Sequence, residues 1–193
     1  MKIYIVRHGQ TDYNVNGRYG GRLDVPLNET GIKEAYVVRD KLKGISFDKI
    51  YSSPLQRAYE TAKIIRDENI ILDDRIIERS NGDMEGKLKS EIKETVDFND
   101  PNEKRYNIEN IIDFRKRIND FLDEITNLDI DGNILIVTHA GVGIYMRCYF
   151  EGEPKDNNYL QYKINNCEVI EYTVKTKSLV LWYNQIKNTF QPV

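Results

Sequence analysis

Short apolar runs that stop at polar punctuation alternate along this chain with longer stretches of helical periodicity. Ile3 to Val6 is a β-branched and aromatic run bounded by turn-forming residues, the pattern of a buried strand. Asn133 to Thr138 repeats it, and Phe47 to Ser52 and Ile70 to Leu72 predict two more strands. Between them, Asn28 is a candidate N-cap for a helix through Leu42, with Ile32, Ala35, Tyr36 and Leu42 on one face and Gly44 ending it. Ser53, Pro54 and Gln56 predict a capped helix start, followed by an inward face of Ala58, Thr61, Ala62 and Ile65. Residues 87–97 suggest a short helix, and Asp97 to Asn107 a polar loop around Pro101. A longer helix is expected from about Glu109 to Leu128, where Ile111, Phe114, Ile118, Phe121, Leu122 and Ile125 recur at helical spacing. Val142 to Tyr149 suits another helix, and Cys167 to Thr173 and Leu179 to Tyr183 read as strands of a hairpin or sheet edge.

Strands separated by helices favour a mainly parallel sheet with helices on both faces, an α/β three-layer sandwich. At 193 residues the chain suits a single domain spanning 1–193. In such a sheet the strand C-termini share one edge, where ligands bind. That changes how the two histidines read. His8 follows the first strand as Arg7-His8-Gly9, and His139 follows a later strand as Thr138-His139-Ala140-Gly141. One edge would bring both imidazoles together, with Arg7 beside them as a fixed-charge fork for an anion.

Composition narrows the possibilities. A hydrophobic fraction of 40% with 31% charged residues is ordinary for a globular protein. A net charge of −3 offers no broad basic surface, so nucleic acid is not an expected partner. Cys148 and Cys167 form no metal or redox motif. The start lacks the charged and apolar regions of a signal peptide and no run is long enough to span a bilayer, so a cytoplasmic, membrane-free protein is expected. The oligomeric state leaves no signature.

Arg7-His8-Gly9-Gln10-Thr11, with Asn14 following, resembles the R-H-G-E/Q-T-x-x-N signature of the histidine phosphatase superfamily, in its phosphoglycerate mutase-like branch. The resemblance continues in order to about residue 147. Ser52-Ser53-Pro54-Leu55-Gln56-Arg57-Ala58 with Thr61-Ala62 is similar to S-S-P-L-x-R-A-x-x-T-A. Arg75 to Gly86 resembles R-L-x-E-x-x-x-G-x-x-E-G, which puts Glu78 at the acid/base position and leaves Glu85 to buttress the site. There are departures: Gly20 stands where Gln is usual, Asn107-Ile108-Glu109-Asn110 lacks the glycine entry to the long helix, and Ile144 replaces an arginine.

The resemblance implies a phosphoglycerate mutase-like fold, His8 as nucleophile, and a small phosphorylated substrate. Arg7, Arg57 and His139 would supply donors to the phosphoryl oxygens, with Asn14 or Arg18 completing the ring. Nearby arginines keep an imidazole neutral and repel a metal cation, so neither metal nor other cofactor is expected. The expected activity is a metal-independent phosphomonoester phosphatase working through phosphohistidine. Two alternatives stay open: a 2,3-bisphosphoglycerate-dependent mutase, and a non-catalytic phospholigand-binding module. Mutases of the family cover the intermediate with a long insertion, and the modest loop Asp97 to Asn107 leaves little chain for one. Arg79, Lys89, Lys104 and Arg105 are the cations that would favour the mutase.

Overall fold

The computed structural model describes residues 1–175. Its frame is built by strands whose side chains alternate between two buried faces. β1 (Lys2–Arg7) lies between β4 (Asn133–Thr138) and β5 (Val169–Thr173), while β2 (Lys49–Ser52) joins β4 to β3 (Ile70–Leu72). The order among the described residues is β3-β2-β4-β1-β5, with β1 to β4 parallel and β5 antiparallel at the edge. Ile3, Ile5, Tyr51, Ile134 and Ile136 face one side, and Tyr4, Val6, Ile50, Leu135 and Val137 the other. A period-2 chain buried on both sides therefore reads as continuously apolar.

α4 (Ile111–Thr126) and α5 (Ala140–Glu151) cover the first face. α4 spends Phe114, Ile118, Phe121, Leu122 and Ile125 there, each fully buried. Burial of side chains of this size contributes about 1.5–3 kcal/mol apiece. α2 (Glu29–Lys41) and α3 (Gln56–Ile65) cover the second face. The sheet thus carries helices on both sides, as the alternation of periods predicts.

Four local expectations need correction. The inward stripe of α2 is Ala35, Val38 and Leu42, and Ile32 and Tyr36 are exposed, so the helix is turned from the expected face. Residues 87–97 hold only a 3-10 turn, Lys89–Glu91, because no apolar stripe repays a full helix. The glycine- and asparagine-rich residues Asn14 to Gly31 read as a loop in the sequence, but the first of them belong to a one-turn helix, α1 (Asp12–Val15), around which Thr11 and Asn14 form a capping box. At α3 the cap is Leu55, without a side-chain hydrogen bond of its own; the Ser53 hydroxyl oxygen accepts from the Leu55 amide at 3.3 Å, just ahead of the helix, and also meets His139. The expected strand Leu179 to Tyr183 lies outside the described residues. Among the described residues no helix is long and apolar enough to cross a membrane.

Candidate active site

Sheet register assembles the site. Arg7 pairs with Thr138 and Ser52 with Val137, so three strands end together and hand the chain to His8, His139 and Ser53. The rings of His8 and His139 lie 5.1 Å apart between centroids. Tight backbone approach completes the edge. A Cβ on Gly9 would come within 2.4 Å of the Gly31 carbonyl oxygen, so the turn after His8 packs directly on the start of α2. The Gly9 amide donates to Thr61 Oγ1, whose hydroxyl donates to the Arg57 carbonyl.

His8 is 4% exposed and places Nδ1 2.7 Å from its neighbour's carbonyl, Gly9 O. A carbonyl only accepts, so Nδ1 carries the proton and Nε2 keeps the lone pair. Burial holds the imidazole well below its ordinary value of 6.5, and the charges of Arg57 and Arg7 push the same way. His139, wholly buried, is likewise held neutral by burial, then by Arg57, His8 and Arg7. Its Nε2 lies 2.7 Å from Ser53 Oγ.

A pocket of about 200 Å³ opens at this edge, lined among others by Arg7, His8, Asn14, Arg18, Arg57 and Glu78. Six of the seven expected site residues therefore converge on one concavity; His139 sits behind His8, outside the lining. The two arginines are buried, with burial lowering each guanidinium against the opposing pull of Glu78. Arg57 donates through Nη1 to Leu23 O and through Nη2 to Gly21 O, both at 2.8 Å, so it also fastens the glycine loop over the pocket. Arg7 donates from Nη1 to Ile164 O. Its Nε and His139 Nδ1 are the buried side-chain atoms without a hydrogen-bond partner among the described residues. Native interiors seldom leave such groups unpaired, and here both stand at one edge.

Glu78 reaches the pocket from the loop after β3, accepting from the Arg79 amide at 2.9 Å and from the Gly141 amide of α5 at 3.2 Å. A Cβ at position 141 would approach its Oε1 to 2.6 Å, so a side chain there would push the Glu78 carboxyl aside. Asn14 accepts from Thr11 N and from Asn166 Nδ2, and Arg18 donates to Gly86 O. Glu85 accepts from Arg22, Ser80 and Asn81, the buttressing role expected of it. Among the described residues no cluster of three or more His, Cys, Asp or Glu side chains is arranged to hold a metal.

Several contributors were not foreseen. Ser53 reads as a cap in the sequence, yet its position just past a strand was the same signal that marked the histidines. Arg117 donates to the carbonyls of Arg75 and Glu78 and pairs with Glu109, bracing the acid loop from α4. Asn166 donates to His8 O, and no local pattern predicts that return of the chain. Of the four cations around the mouth, Lys89 lines the pocket and Arg79 a neighbouring cavity, whereas Lys104 and Arg105 line neither. Arg105 is paired with Glu103.

Comparison with known proteins shows the family. The model of the histidine phosphatase superfamily (branch 1) matches residues 3–185. Phosphoserine phosphatase 1 of Hydrogenobacter thermophilus is 34% identical over 150 residues, covering 72% of this chain and 71% of the relative. The adenosylcobalamin/alpha-ribazole phosphatase of Escherichia coli is 30% identical over 153 residues, covering 74% and 75%. The solved structure of YhfR from Bacillus stearothermophilus superposes with a TM-score of 0.80 at 29% identity, covering 90% of this chain and 91% of that one.

Proposed function

The chain belongs to branch 1 of the histidine phosphatase superfamily and is a phosphatase of that family; from this premise we propose that it hydrolyses small phosphomonoesters through a phosphohistidine on His8, without a metal. The observation that carries the reading is the neutral, buried His8 imidazole whose Nδ1 is committed to Gly9 O. That leaves Nε2 as an unprotonated nucleophile in a pocket with two guanidiniums.

In this reading Nε2 attacks phosphorus, the ester P–O bond breaks, and Glu78 protonates the departing alkoxide. Glu78 then takes a proton from water, which attacks the phosphohistidine and releases phosphate. Arg7, Arg57 and His139 hold the equatorial oxygens, giving the unpaired Arg7 Nε and His139 Nδ1 their partners. Asn14 and Arg18 close the ring. The Ser53 hydroxyl fixes the orientation of His139 from the opposite nitrogen.

Phosphoserine and alpha-ribazole phosphates are the substrates that the relatives' names suggest for this chain. Hydrolysis is favoured over mutase chemistry because a mutase must grip a second anionic end. Arg79, the guanidinium beyond Glu78, already donates to Glu109 O and Phe98 O, and Arg105 is paired.

The test is to mix enzyme with a phosphorus-labelled ester, quench, and look for acid-labile label on the protein. Wild type is expected to carry it and His8→Ala to lose both label and turnover. Label surviving in His8→Ala would overturn the assignment.

A further inference from the structure

Beyond Glu78 and Asn81, which both concavities share, lies a second cavity of about 470 Å³. An ester bound with its phosphoryl group against His8 has its alcohol half directed past the acid that protonates it, and this cavity is the space there. Its walls include Val96, Phe98, Phe114, Ile144, Tyr145 and Tyr159. The rings are set edge to face or tilted: Phe114 and Tyr145 at 5.5 Å, Tyr145 and Tyr159 at 5.6 Å. Leu160 stands at the rim, 73% exposed.

Charge decides what the cavity refuses. Glu78 carries its proton while it serves as the acid, so the charges at the lining are one carboxylate, Asp97, against one guanidinium, Arg79. That guanidinium is 6% exposed, lies 5.6 Å from the centroids of both Phe98 and Phe114, and has Nε and Nη1 bound to backbone carbonyls. The Tyr145 hydroxyl is spent as well, donating to Asn99 Oδ1 at 2.6 Å. What remains is a mostly apolar and aromatic wall, part of it from the buried Phe114 and Tyr145, with Asn81, Asn99, Asn157 and Asn158 as neutral polar groups and no net positive charge, a lining suited to a ring and costly for a carboxylate to enter.

We infer that this cavity is the leaving-group site, and that the natural substrate is the phosphate ester of an apolar, ring-bearing alcohol without a carboxylate. The inference rests on the phosphatase reading above and goes beyond it, since phosphoserine and phosphoglycerate both carry the excluded group.

The experiment compares kcat/KM for 2-phenylethyl phosphate, ethyl phosphate, O-phosphoserine and 3-phosphoglycerate, with p-nitrophenyl phosphate as the activated reference. The first two are esters of simple primary alcohols, so their ratio reports the pocket and not the leaving group. A preference of about 10-fold or more for the phenylethyl ester is expected, with both carboxylates below ethyl phosphate. Phe98→Ala, and Leu160→Ser at the exposed rim in case the first fails to fold, should each bring the phenylethyl-to-ethyl ratio towards one. A wild-type ratio near one, or a carboxylate preferred over the phenylethyl ester, overturns the inference and leaves the phosphatase standing. No turnover even of p-nitrophenyl phosphate overturns both.

Discussion

The two imidazoles are the residues on which pH acts most directly. Each is held well below 6.5 by burial and then by arginine charge, so each stays neutral in the fold where the unfolded chain would protonate it. Below about pH 6.5 the unfolded state therefore binds more protons, and stability falls as pH falls, by at most about 1.4 kcal/mol per pH unit for each imidazole. Denaturant unfolding between pH 7.5 and 5.5 should show this slope, and His139→Asn should flatten it. A slope that His139→Asn leaves unchanged would mean that its imidazole titrates in the fold as it does in the unfolded chain. Glu78 makes a different prediction. Glu78→Gln should cost an alkyl phosphate about 100-fold or more in kcat and p-nitrophenyl phosphate, which needs no proton, much less. Gly141→Ala should reproduce that pattern in weaker form, because its methyl would displace Glu78 Oε1. Equal losses on both substrates would make Glu78 a positioning group.

At the scale of elements, the sequence was readable wherever one periodicity dominated. α4 was legible from its apolar stripe, and β1 and β4 from their apolar runs, with ends within two residues of those expected. α2 was legible as a helix but not in its orientation, since Ile32 and Tyr36 carry apolar side chains that the fold leaves exposed. The acid loop was legible only through its motif, because what braces it is long-range: Arg117 on α4 binds Glu78 O and Arg75 O while held by Glu109. A guanidinium on a helix looks like solvated charge until the partner carbonyls are known. Arg117→Met should lower stability by about 1–3 kcal/mol through the unpaired carbonyls and carboxylate it leaves, and should reduce kcat more than it raises KM. Unfolding curves and steady-state kinetics on the same preparation separate the two effects. A change confined to KM would place Arg117 outside the support of the acid.

For the molecule as a whole, the site was legible as a consequence of topology. One shared C-terminal edge gathers residues from positions 7 to 141, and that much follows from alternating strands and helices. What did not follow was the second cavity, which depends on how the loop holding Phe98 and the turn holding Tyr159 meet α5.

β1 is made before both of the strands that flank it, β4 and β5, and β5 is still unmade when residue 160 emerges. β1 must wait, apolar and unpaired, for more than a hundred residues of synthesis until β4 is made. Sequence separations of that size slow folding and lengthen exposure to aggregation. The Arg7-His8 signature is thus translated well before the strands that make it part of a site. Ribosome-bound chains stalled with residues 1–160 outside the tunnel should be protease-sensitive and inactive on p-nitrophenyl phosphate, and release of the full chain should switch both properties together. On that outcome the onset of catalysis during synthesis is set by one edge strand, β5.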